Sequence, residues 1–140
     1  MQAKGSLRGH SYVKRGAGLA MVAGFALVAS GCFSDPVTLK VVAKEDFSNQ
    51  AQPFDFDQDT YVVPRGDLDV VYAFPTGVAP HTLRIRDSEA LDLAVNATTR
   101  ADEGTIELGP GVYELFCSVV NPSTGAAHAD LGMTAELLVL

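Results

Sequence analysis

Cysteine is scarce in this 140-residue chain: Cys32 and Cys117 are the only two, so at most one disulfide is available. Nothing repeats internally, and after the N-terminal stretch no long 3.6-residue period marks a substantial helix. The uncharged apolar run from Ala17 to Ala29 falls short of the roughly 20 residues that a membrane-spanning helix needs. Acidic residues are missing from positions 1–31, which hold four of the ten Lys and Arg, namely Lys4, Arg8, Lys14 and Arg15. Beyond that point six Lys and Arg stand against all 17 Asp and Glu, a formal charge of −11. That deficit of positive charge excludes nucleic acid as a partner, because phosphates attract Lys and Arg. An acidic domain instead steers basic partners towards itself.

What is present suffices for one folded domain: the chain is 47% hydrophobic and 19% charged, with room for a single core. Its start has the layout of an export signal, with a basic region, an apolar region and then small residues. Leu27-Val28-Ala29-Ser30-Gly31-Cys32 resembles the lipobox of bacterial lipoproteins, with Ala29 where that family usually has Leu. The resemblance implies that residues 1–31 are a signal peptide, that Cys32 is lipidated, and that 32–36 form a short tether to a domain at 37–140. Two or more acyl chains give stable anchoring. The expected location is the periplasm or the outer face of the cell membrane, and Phe33 after Cys32 does not look like an inner-membrane retention signal. An ordinary secretory signal is the alternative, and only it leaves Cys32 free to pair with Cys117. Otherwise Cys117 is a lone thiol in an oxidising compartment, either buried and inert or holding a metal.

After residue 36 the pattern is that of strands. Val37, Leu39, Val41 and Ala43 alternate with Thr38, Lys40 and Lys44, the period-two signature of a half-buried strand. Residues 47–59 read as an irregular or edge segment whose Phe54 and Phe56 cover the core. Strands follow at 61–63, 68–72, 81–86, 105–108, 112–120 and 133–140, separated by Gly and Pro turns. Leu91, Leu93 and Val95 fit either a short strand or one turn of helix. Asp55, Asp57 and Asp59 alternate like calcium ligands but lack the Gly and Glu of a calcium loop, and are read as solvated. The whole predicts an all-β sandwich.

Parity within these strands points to a metal. His81 shares a face with Leu83 and Ile85, and Cys117 shares one with Tyr113, Leu115 and Val119, so both point inward. After residue 31 the chain holds two histidines, His81 and His128, and one methionine, Met133. A thiolate, two imidazoles and a thioether suit copper in a His₂Cys site with a weak axial Met.

Gly111-Val112-Tyr113-Glu114-Leu115-Phe116-Cys117 is similar to the G-x-Y-x-F-x-C run of cupredoxins, the plastocyanin- and azurin-like small copper proteins. His128-Ala129-Asp130-Leu131-Gly132-Met133 resembles their H-x-x-x-G-M ending, and Pro80-His81 the position of their upstream histidine. Leu115 replaces the usual Phe. Cys117 and His128 enclose ten residues, where many members have far fewer, which leaves the course of that loop open. The resemblance implies a Greek-key sandwich holding one type 1 copper ion through His81, Cys117, His128 and Met133. It further implies one-electron transfer, with His128 near the surface as the exit and a cytochrome or membrane oxidase as the kind of partner. Four protein ligands leave no place for a small-molecule substrate, so no enzyme activity is expected. Copper delivery without electron transfer, or a metal-free interaction domain, are the competing readings.

Overall fold

A computed structural model describes residues 35–140. The expected signal peptide, the lipidation site Cys32 and the first residues of the tether lie outside the described residues. Nine strands follow in the described chain: β1 (Val37–Glu45), β2 (Phe54–Phe56), β3 (Thr60–Val63), β4 (Gly66–Ala73), β5 (His81–Ile85), β6 (Asp92–Val95), β7 (Ala101–Leu108), β8 (Gly111–Phe116) and β9 (Thr134–Val139). One sheet has the order β2-β1-β4-β7 and the other β3-β9-β8-β5-β6, so the chain crosses repeatedly from sheet to sheet. Two pairs are parallel, β1 with β4 and β3 with β9; the rest are antiparallel.

Alternation along each strand builds the core. Leu39, Val41 and Ala43 of β1, Leu68, Val70 and Tyr72 of β4, Leu83 and Ile85 of β5, and Leu137 and Val139 of β9 are all buried between the sheets. Burying one such large side chain stabilises the fold by about 1.5–3 kcal/mol, so the period-two pattern fixes which face of each strand turns inward. Phe54 and Phe56 lie on the short edge strand β2, paired with Ala43–Glu45, and both are buried as expected.

Several boundaries differ from the sequence reading. The 91–95 segment is a strand, settled by pairing His81 with Val95 and Leu83 with Leu93. β7 starts at Ala101, four residues before Thr105, because β4 offers a partner for every residue from Leu108 back to Ala101. Gly104 sits inside that strand, where an added Cβ would lie 3.2 Å from Leu93 Cδ2. β8 ends at Phe116 rather than continuing to Val120. Asp57 is not merely solvated: its Oδ1 accepts hydrogen bonds from the Val42 N–H and the Tyr61 hydroxyl, each at 2.7 Å, tying the β2–β3 connection to β1.

Candidate metal centre

The early end of β8 brings Cys117 to the site. Past Phe116 the main chain leaves the sheet, and the Cys117 N–H donates to the Met133 carbonyl at 3.2 Å. Its own carbonyl accepts from the Ala129 N–H at 3.2 Å. The ten residues to His128 do not wander. Val120 pairs with Ala127 across a small antiparallel bridge, the Asn121 N–H donates to the Ala126 carbonyl at 2.8 Å, and Gly125 turns the chain at φ +75°. The His128 N–H then donates to the Val119 carbonyl at 2.8 Å. The extra length is folded into a hairpin, which returns His128 beside Cys117.

A short 3₁₀ turn, Ala129–Leu131, carries the chain onward, and the Met133 N–H donates to the His128 carbonyl at 3.0 Å. Gly132 makes this possible: its φ is +99°, and a Cβ there would come within 2.7 Å of Gln52 Cγ. His81 arrives from the opposite direction as the first residue of β5.

The three donors converge. His81 Nδ1 is 3.2 Å from His128 Nδ1, which is 3.6 Å from Cys117 Sγ, and one donor atom from each of the three residues lies within 4.8 Å of the other two. Metal–nitrogen and metal–sulfur bonds are about 2.0–2.3 Å, so both measured separations are short enough for one ion to bridge. Relative exposure is 0% for His81 and Cys117 and 2% for His128, and Met133 is wholly buried beside them in the chain path. The Thr82 N–H donates to Cys117 Sγ at 3.3 Å, and the Ser118 N–H holds the Thr82 hydroxyl oxygen at 2.8 Å.

Aromatic rings close the site. Phe54 stacks on His128 with centroids 3.8 Å apart, and Phe74 meets His81 edge-on at 4.9 Å. Burial away from water pushes the His128 pKa down to about 4, with the facing His81 adding to the effect. Burial also lowers the His81 pKa, against an opposing pull from Glu45. Both rings are therefore neutral at pH 7, which is the state that offers a lone pair to a metal. The donors, their spacing and their protonation fit a d-block ion bound by soft and borderline ligands.

His128 is buried under Phe54 yet lies near the surface, where it lines a groove of about 340 Å³ with Phe47, Pro80, Val119 and Pro122. Sequence reasoning also missed Glu45, whose side chain is 5% exposed and whose Oε1 lies 3.1 Å from His81 Nε2. A signal for it existed. Glu45 continues the inward parity of Leu39, Val41 and Ala43, so a carboxylate falls where the pattern demands an apolar group. The contact of Phe54 with His128 had no such signal, because it depends on how β2 folds back on β1.

No protein-family model and no curated protein matches the chain. Solved structures do. Auracyanin A, a "blue" copper protein from Chloroflexus aurantiacus, aligns at 17% identity and a TM-score of 0.54, over 75% of this chain and 99% of its own. The oxidized form of plastocyanin from Dryopteris crassirhizoma aligns at 18% identity and 0.52, over 73% and 100%. A chain from the structure of a heme-copper terminal oxidase dimer aligns at 17% and 0.51, over 76% and 66%. The likeness is one of fold.

Proposed function

We propose that this protein, a chain of cupredoxin fold, is an exported, membrane-tethered carrier of single electrons that holds one type 1 copper ion through His81, Cys117, His128 and Met133. One observation carries the reading: three buried donors converge at a point, and the main chain of Met133 is hydrogen-bonded to both Cys117 and His128. The kind of fold supports it, being shared with a copper protein and a plastocyanin. Copper, when bound, supplies one-electron cycling between Cu(I) and Cu(II).

The chain's own part is to hold the donors still. Cys117 Sγ, which accepts the Thr82 N–H, would hold the ion as its sulfur ligand, and His81 and His128 would bind through neutral nitrogens while Phe74 and Phe54 restrain their rings. Because the donors are fixed by strands, a turn and packed rings, little has to move when the electron does. Their burial excludes water and supports a carrier rather than an enzyme. His128, which lines the groove, would be the contact through which a redox partner reaches the site, and the acidic charge favours a basic partner such as a cytochrome or a membrane oxidase. Lipid on Cys32, exposed by removal of residues 1–31, would keep the domain at the membrane.

The test is the visible spectrum of residues 32–140 with Cu(II), beside Cys117→Ser. An intense thiolate-to-copper band in the first and none in the second is the expected result. No band and no bound copper under non-reducing conditions overturns the copper reading. Copper that passes to an acceptor protein without reversible redox cycling would replace the carrier with a delivery protein. In cells, Cys32→Ser should release the domain from the membrane fraction.

A further inference from the structure

The Glu45 side chain is 5% exposed, and its carboxylate meets three nitrogens. Its Oε2 accepts the Val78 N–H at 3.0 Å, and its Oε1 accepts the Ala79 N–H at 2.7 Å while standing 3.1 Å from His81 Nε2. Gly77 lets the loop close over it: its φ is +139°, and an added Cβ would lie 2.8 Å from Glu45 Cδ and 2.1 Å from Phe74 Cζ. An acceptor-only carboxylate against a neutral imidazole demands a hydrogen on Nε2. The other ring nitrogen, Nδ1, is then bare, and it is the one that faces His128.

We infer that Glu45 is a positioning residue for the metal centre: it locks His81 in the tautomer that presents Nδ1, and its charge favours the more positive oxidation state of the bound ion. The inference rests on the copper reading above and deepens it. Two things follow from the chemistry. A carboxylate on the far nitrogen of a metal-bound histidine raises the ligand's basicity and orients the ring, and losing such a partner costs about 10–100-fold in metal affinity. A buried negative charge is also poorly screened, so it stabilises Cu(II) more than Cu(I) and lowers the reduction potential.

The experiment uses residues 32–140 as wild type, Glu45→Gln and Glu45→Ala, with folding checked by circular dichroism. In the metal-free proteins, nitrogen NMR of His81 should report the Nε2–H tautomer in wild type and a mixture in Glu45→Ala. In the copper-loaded proteins, Glu45→Gln, which keeps the shape and one acceptor but not the charge, should lower the ratio of Cu(II) to Cu(I) affinity about tenfold, a rise of about 59 mV in potential. Glu45→Ala should lose Cu(II) affinity about 10–100-fold. Unchanged tautomer, affinity ratio and potential in both folded variants would make Glu45 a clasp for the 77–79 loop and overturn the inference. If wild type takes up no copper, the copper reading and the claim about potential fall together. The metal-free tautomer still decides whether Glu45 orients His81.

Discussion

Two neutral imidazoles packed nitrogen to nitrogen impose a pH dependence on the metal-free protein. In the unfolded chain each histidine titrates near 6.5. In the fold His128 resists protonation until about pH 4, because it is desolvated and faces His81, and His81 is shifted in the same direction. As pH falls below about 6.5 the unfolded chain gains protons that the native state refuses. The contribution is therefore complete above about pH 6.5 and is lost progressively on the way down to about 4. Urea melts of metal-free protein between about pH 7.5 and about 4.5 should show the midpoint falling with acid, and His128→Gln should flatten that slope. A midpoint that ignores pH across this window would contradict a buried neutral pair. At this scale the convergence of His81, Cys117 and His128 was legible because each residue type is rare after residue 31 and strand parity turned two of them inward. Glu45 was written in the same parity and was overlooked. The stacking of Phe54 on His128 was not written in any local pattern.

The ten-residue stretch between Cys117 and His128 is the element most unlike the family pattern, and its structure explains why the site tolerates it. The bonds that position the donors, His128 N–H to Val119 O and Ala129 N–H to Cys117 O, lie on the ligand side of the Val120–Ala127 bridge, and none of them is made by residues 121–126. Replacing residues 121–126 by an Asn-Gly turn, the preferred two-residue hairpin connection, should thus leave the thiolate-to-copper band unchanged. Rates with redox partners would be the only property to respond if the hairpin is a recognition device. A shifted band would show that the hairpin braces the ligands. The sequence marked this segment as turn-prone through Asn121, Pro122 and Gly125 but did not reveal the bridge, which depends on Val120 and Ala127 meeting across the loop. The same limit governs β7: Ala101-Asp102-Glu103-Gly104 has poor strand character by itself and becomes strand because β4 pairs with it.

For the molecule as a whole, the alternation of apolar residues was enough to read a sandwich, since each strand had one face to bury. The assignment of strands to sheets was not legible, because parallel pairs such as β1–β4 and β3–β9 join segments with no short turn between them. Charge belongs to this scale too. Residues 32–140 carry −11 in formal charge, and most of those acidic groups are exposed, whereas Glu45 is sequestered beside the metal centre. A field of one sign accelerates encounters with partners of the other sign over a reach set by ionic strength, with a Debye length of about 30 Å at 0.01 M and about 8 Å at 0.15 M. Stopped-flow electron transfer between copper-loaded protein and a basic redox protein should therefore slow at least about tenfold as salt rises across that range. With an acidic redox protein the same series should run the other way, because salt then screens a repulsion. Rates indifferent to salt with both partners would mean that the acidic surface serves solubility alone, and that recognition lies wholly in the apolar groove beside His128.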